Sequence, residues 1–475
     1  MPTQRPNRRA RRRAPASVAP ARAAAFAALL RESRGEGPFD LAAAAAAQFG
    51  GLDGRDRALA YELVVGTIKR RNTIDRVLAE FTGARPRRTP PDVRESLRLG
   101  AYQLLFLDRV PAHAVVSDAV DLVKPRSRQS AAFVNAVLRR VAAEGRAAAE
   151  RLGEGDSPVA LALRWSYPEW LVSLWLRELG RDQTVALLRA GDEPAERCVR
   201  VNRRRATLAR AQASLAAGGI DASPPEQNAA VDTPDALLLS GGPVEGATAF
   251  REGLVTPQSR GSQLVARIAA AGRPSGSRLA DLCAAPGGKT SYLAELLPGW
   301  AIVAVDDDPA RVDELRAYLR RLGADGAEVV GTDVRAFASD PVRASSFDVV
   351  LLDAPCTGLG TLASRPDLRW RRRAADVPRL AAVQAELLEA AGRLVAPGGV
   401  LVYSVCTITR AETLGVVEGF LGTSGDLSGA QAWQVDDLGG EYTAYRHADN
   451  GAFLQTLPSR DRTTGFFVGR LRRTV

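Results

Sequence analysis

Two cysteines stand at the ends of two apolar runs, Cys356 in VVLLDAPCTGLG (349–360) and Cys406 in GVLVYSVC (399–406). Each run reads as a buried strand of an α/β sheet, and the loops at the carboxyl ends of such strands form the ligand crevice. A thiolate is the strongest nucleophile among the side chains, so two thiols at one active edge suit covalent chemistry. The competing reading is a pair of buried, inert thiols. Asp353, which closes the first run, adds a carboxylate to the same edge.

Three more strand ends carry groups of a matching kind. In LADLCAAPGGKTSYLAELL (279–297), Gly287 and Gly288 permit close backbone approach, and the following helix offers free N–H groups to an anionic or polar ligand. GGKT followed later by VVLLD imitates a P-loop nucleotidase. That loop needs G-x-x-x-x-G-K-[ST], and counting back from Gly288 the first glycine position is Cys283, so the motif fails. In AIVAVDDDPARV (301–312), Asp306 closes the strand, where a carboxylate suits the vicinal hydroxyls of a ribose. Asp307 and Asp308 suit the start of the next helix, where acids complement the dipole. Asp333, in VVGTDVR, closes a third strand and could meet the adenine end of the same ligand. An adenosine-type ligand without a pyrophosphate fits these ends, with S-adenosylmethionine the leading candidate. Lys289 reads either as an electrostatic positioner of the site or as a helix N-terminal residue facing the loop.

The elements that must position these residues follow from periodicity. From 275 to 475, the strands SRLADLC, AIVAVD, AEVVG, FDVVLLD and GVLVYSVC alternate with helical stretches such as DPARVDELRAYLRRLG and VPRLAAVQAELLEAAGRLVAP. This alternation predicts an α/β, Rossmann-like, doubly wound parallel sheet. From 155 to 270 the signal is mixed and predicts a small α+β domain. SYPEWLVSLWLRELG and LARAQASLAAGGI read as helices, and RCVRVNRRRAT as a strand leading into a basic turn, with Cys198 structural. From 18 to 150 the pattern is all-α, and His113 reads as a residue that caps or packs a helix.

Residues 1–17 form a basic tail, expected to be disordered; its first thirteen hold six arginines and no acid, more than half of the net charge of +10. The positive excess points to nucleic acid, and the tail would add salt-sensitive attraction to phosphates. At 475 residues the chain is expected to form two or three domains. No apolar stretch is long enough to span a membrane. The four cysteines, 198, 283, 356 and 406, form no CxxC pattern, and histidine occurs only at 113 and 447. Neither a disulfide framework nor a metal site is expected, and the cytoplasm is the natural compartment.

A cysteine pair of this kind fits one chemistry well. C5 of cytosine is a poor nucleophile until a thiolate adds to C6, after which C5 can take a methyl group; loss of the C5 proton then requires a base. The region resembles the RNA 5-methylcytosine methyltransferases. Four further blocks, RDRALAYELVVGTIKR (55–70), LRLGAYQLLFL (97–107), VPAHAVVSDAV (110–120) and FVNAVLRR (133–140), resemble a NusB-like RNA-binding domain. Together they resemble the RsmB/Sun family of 16S ribosomal RNA methyltransferases over nearly the whole chain after residue 18. The resemblance implies S-adenosylmethionine contacts at Cys283, Ala284, Ala285, Pro286, Gly287, Gly288, Lys289, Asp306, Asp333 and Asp353. It implies that Cys406 is the nucleophile, that Cys356 assists product release, and that Asp353 lies between cofactor and base. RPDLRW (365–370) and Gln384 also follow the family pattern. Two departures occur: the family's T-C-S is Val405-Cys406-Thr407, and its P-E-E-N is Arg410-Ala411-Glu412-Thr413.

The implied partner is small-subunit ribosomal RNA, gripped through phosphates and shape by the helical and middle domains, with the target base unstacked; a monomer is expected. Alternatives are the same chemistry at another ribosomal site or on transfer RNA, a non-catalytic RNA-binding or antitermination factor, and the P-loop nucleotidase.

Overall fold

The computed structural model describes residues 18–34, 49–83, 89–125, 127–226, 233–271, 277–423 and 433–474. The basic tail at 1–17 lies outside them. The chain divides into two compact units, Met1–Tyr167 and Pro168–Val475.

The first unit is all-α among its described residues. Its centre is the helix Pro91–Phe106, entered through a proline whose missing N–H costs nothing at that position. This helix packs against Ala112–Val123 and Arg128–Leu152. Gly66 of helix Gly54–Lys69 leaves room for the Tyr102 ring, from which a Cβ there would lie only 2.0 Å. Buried charge is paired: Arg98 bonds Asp75 at 2.6 Å and the fully buried Glu95 at 2.9 Å. His113 does not cap or pack. It is exposed in the first turn of Ala112–Val123, whose N-cap is Pro111 with no side-chain cap bond. The X-Pro entry supplies the start signal there, leaving the histidine on the solvent side.

The second unit opens with the helix Glu169–Asp192, broken at Gly180, whose φ of +75° only glycine adopts without strain. It then forms a four-stranded antiparallel sheet from β1 (Cys198–Val201), β2 (Ile220–Ser223), β3 (Ala236–Gly241) and β4 (Val255–Pro257), in the order β2-β3-β1-β4. The helix Leu208–Ala217 contributes Ala211 and Leu215 to its core. Cys198 is buried on β1, and burial pushes its thiol up, as a structural cysteine requires.

The main sheet comprises β5 (Arg278–Leu282), β6 (Ala301–Asp306), β7 (Glu328–Gly331), β8 (Phe347–Asp353), β9 (Val395–Val405), β10 (Trp433–Val435), β11 (Leu454–Gln455) and β12 (Phe467–Arg473). The order is β10-β12-β9-β8-β5-β6-β7, with β11 on β12. β5 to β9 pair in parallel, as the alternation predicts. The sheet as a whole is mixed: β12 runs antiparallel to β9, and β10 and β11 antiparallel to β12. These strands were missed because β10 and β11 are too short to show a period, and because FVGRLRR carries three arginines that hide its apolar face. Both faces of the sheet are covered. Val350 and Leu352 of β8 meet the helices Asp376–Leu394 and Leu414–Thr423, while Val349 and Leu351 meet Arg260–Ala270 and Gly288–Leu296. Each fully buried Leu or Val contributes about 1.5–3 kcal/mol.

Candidate active site

The chain winds outward from β5 in both directions, so the crevice lies beyond the carboxyl ends of β5 and β8. Three catalytic candidates gather there. Asp353 ends β8 opposite Ser404 of β9, whose hydroxyl donates to Asp353 Oδ1 at 2.7 Å. Cys406 follows β9 directly, and Cys356 sits three residues beyond β8. Both thiols are half-buried, and their sulfurs are 3.3 Å apart.

The two thiols are electrostatically unequal. The hydrogen bond from Cys356 holds Cys406 below the usual thiol range, with help from Lys289 and Arg365, against burial and the charge of Asp353. Cys356 is pushed well up, first by that same bond, then by burial, by Cys406 and by Glu412. Of the two, Cys406 is the more acidic thiol and Cys356 the one that holds its proton more tightly.

The glycine-rich loop joins β5 to the helix Gly288–Leu296. Cys283 turns the chain with a φ of +60°. The N–H of Ala284 donates to Val305, that of Ala285 to Asp306 Oδ2 at 3.0 Å, and that of Gly287 to Ala284. Pro286 lies between them. Gly287 has a φ of +109°, and a Cβ there would lie 2.7 Å from Leu315 Cδ1, so the loop's approach to the next helix requires glycine. Lys289, on the first turn, points Nζ at Asp353 Oδ2 at 2.6 Å and lies 5.1 Å from the Phe466 ring centroid. Burial lowers its pKa, but the charge and hydrogen bond of Asp353, with Asp281 and Cys406, together outweigh that and raise it. It is therefore tied to the site rather than only to the loop.

Below the loop, Asp281 is fully buried and accepts from the Thr290 hydroxyl at 2.6 Å. Burial pushes its carboxyl up to about 7, against the Thr290 bond and the charge of Lys289.

The remaining acids differ in their engagements. Asp306 is buried, and its Oδ1 has only long contacts, 3.4 Å to Arg311 and 3.5 Å to the N–H of Asp308. A carboxylate oxygen so loosely held keeps the capacity to accept a ribose hydroxyl, which is how these residues fit an adenosine-type cofactor. Asp308 caps the helix Pro309–Leu322 through the N–H groups of Ala310 and Arg311. Asp333 lies two residues past β7, caps the helix Val334–Ala338 and pairs with Arg335 at 2.7 Å; no direct contact joins it to the thiol pair.

Several residues support the site in ways that the sequence did not show, including Thr407 and Glu412, whose segments it marked only as departures from the family pattern. Glu412, Thr357, Thr407 and Thr409 form a buried cluster behind the two thiols, and Arg372 donates to the carbonyls of Cys356 and Thr357. A signal existed: each active-edge cysteine is followed by a threonine, with one acid six residues past Cys406. Buried Arg200 of β1 pairs with Glu295 and bonds Gln258 and Ser291, fastening the small sheet to the helix behind the loop.

Comparison with known proteins agrees with this architecture. Residues 19–143 match the NusB family, 167–244 the ferredoxin-like domain of RsmF/B-like methyltransferases, and 273–472 the 16S rRNA methyltransferase RsmB/F model. The ribosomal RNA small subunit methyltransferase B of Vibrio cholerae is 35% identical over 376 residues, 77% of this chain and 81% of that protein. The protein of the same name from Escherichia coli is 30% identical over 419 residues, 88% and 90% of the two chains. The crystal structure of PH0851 superposes with a TM-score of 0.81 at 25% identity, covering 97% of this chain and all of that one. With an all-α NusB domain, a small antiparallel domain and a methyltransferase sheet in that order, the chain belongs to the RsmB/F family of 16S rRNA methyltransferases.

Proposed function

We propose that the protein methylates C5 of a cytidine in 16S ribosomal RNA through a covalent adduct of Cys406 with C6. The observation that carries this reading is the pair of sulfurs 3.3 Å apart beyond the ends of β8 and β9, with Cys406 the more acidic of the two. S-adenosylmethionine is the methyl donor and, when bound, supplies an electrophilic methyl group. The loop Cys283 to Lys289, with Asp306, Asp333 and Asp353, would hold it.

The chain's own residues account for the rest. Cys406 Sγ forms a bond to C6, and the ring electron pair moves to C5, the carbon to be methylated. Lys289, paired with Asp353, supplies positive charge near the sulfur that favours its thiolate form. After the C5 proton has passed to a base, the C6–S bond breaks, the ring double bond reforms and Cys406 leaves as thiolate. Cys356 assists this elimination by donating its hydrogen bond to the departing sulfur. The target base must leave its stack to reach half-buried thiols, and the NusB-like domain and positive charge serve to hold the surrounding RNA.

Bisulfite sequencing of ribosomal and transfer RNA from a strain lacking the gene tests the reading. Loss of one 16S methylcytidine, restored by the wild-type gene but not by Cys406→Ala, is the expected result. Unchanged 16S methylation would overturn the substrate, and restoration by Cys406→Ala would overturn the mechanism.

A further inference from the structure

We propose that Glu412 is the positioning residue of the thiol pair: its buried carboxylate ties the turn after Cys356 to the turn after Cys406 and so fixes the geometry of the two sulfurs. The inference rests on the proposed role of that pair.

Glu412 is fully buried at the end of the short turn Arg410–Glu412. Its Oε1 accepts from the N–H of Thr357 at 2.8 Å and from Gln384 Nε2 at 3.1 Å. Its Oε2 accepts from the hydroxyls of Thr357 at 2.5 Å, Thr409 at 2.8 Å and Thr407 at 3.3 Å. Thr357 and Thr407 directly follow the two cysteines, and their hydroxyls are 2.9 Å apart. One carboxylate thus holds both thiol-bearing turns. The backbone around Cys356 is held from further points, since Gln384 also donates to the carbonyl of Pro355 and Arg372 to those of Cys356 and Thr357.

Closing a turn does not require a charge. A neutral amide has one acceptor oxygen, whereas these five donors converge on two, and no ion pair to Glu412 exists among the described residues to offset its burial. The negative charge has a use at this place. It bears on Cys356, adding to the rise of that thiol relative to Cys406. The other ionisable groups around the pair are Lys289, Asp353, Arg365 and Tyr403, with Glu178 facing Glu412 from the helix Glu169–Asp192.

The test compares wild type with Glu412→Gln, Glu412→Ala and the pair Thr357→Val/Thr407→Val. Iodoacetamide labelling of Cys406 and Cys356 is read separately by peptide mass spectrometry across pH 6 to 10, alongside kcat and KM for methylation. S-adenosylmethionine binding and cooperative melting report folding. Glu412→Gln should keep cofactor affinity while kcat falls by about 100-fold, the loss expected when reacting atoms shift by about 1 Å. The preference for labelling Cys406 over Cys356 near neutral pH should fall by about tenfold, one unit of relative thiol pKa. If Glu412→Ala does not fold, Glu412→Gln and the threonine pair decide. Wild-type kcat and wild-type labelling preference in the folded variants would overturn the proposal. Because labelling needs no RNA, a shifted preference in an enzyme whose Cys406→Ala form still methylates would retain the positioning role while rejecting the cytosine mechanism.

Discussion

Lys289 Nζ lies 2.6 Å from Asp353 Oδ2, joining the first helix turn after the glycine loop to the end of β8, where the cysteine-bearing loop begins. An ion pair therefore links the glycine loop to the strand end that leads into the Cys356 loop.

Replacing Lys289 by Met removes the positive charge that favours the Cys406 thiolate and leaves Asp353 unopposed, and both changes raise the thiol. The pH midpoint of Cys406 alkylation should rise by about one unit or more, with methylation reduced at neutral pH and partly regained at higher pH. An unchanged midpoint would separate Lys289 from the thiol chemistry. ATP hydrolysis should stay at background in both proteins.

Asp306→Ala leaves the buried N–H of Ala285 without its acceptor, a cost of about 1–3 kcal/mol, and removes the oxygen offered to the ribose. Calorimetric affinity for S-adenosylmethionine should fall by about tenfold or more, with a lowered melting temperature. Unaltered affinity would remove Asp306 from the cofactor site.

The parallel strands β5, β6, β8 and β9 were legible because each carries an apolar run bounded by polar or glycine-rich segments, and AIVAVD and FDVVLLD match β6 and β8 residue for residue. The thiol pair was legible for the same reason. The Glu412 cluster was not, because its members lie on two segments some fifty residues apart and are polar residues whose burial depends on mutual hydrogen bonds. Neither were β2, β3 and β4: IDAS, ALLLSG and VTP are too short for alternation to show, and tertiary packing decides them. Asp333 lies just past the end of β7, as its place in the sequence suggests, and it also caps a helix and pairs with Arg335, which the sequence did not show.

Arg200 is buried on β1, with Glu295, Gln258 and Ser291 as partners and its guanidinium 4.5 Å from the Tyr292 ring centroid. Arg200→Met strands the Glu295 charge and should destabilise the second unit by about 3–5 kcal/mol. Adding Glu295→Met should recover part of that loss in chemical denaturation. Additive losses would indicate that the two residues act independently.

Asp281 has a folded-state pKa of about 7, above the ordinary carboxyl range. The folded chain therefore holds a proton that the unfolded chain releases near pH 4, and the group's stabilising contribution is full below that and lost as pH rises to about 7. Asp281→Asn should flatten the fall in stability across this interval, measured by denaturant unfolding at several pH values. A parallel pH profile in wild type and variant would contradict the assignment.

The division of labour between the two thiols is tested most directly by trapping the covalent RNA adduct. Incubation with 16S RNA and S-adenosylmethionine, followed by denaturing electrophoresis, should show a protein–RNA band that accumulates in Cys356→Ala and is absent in Cys406→Ala. An adduct that accumulates in Cys406→Ala, or methylation that persists in it, would contradict the account.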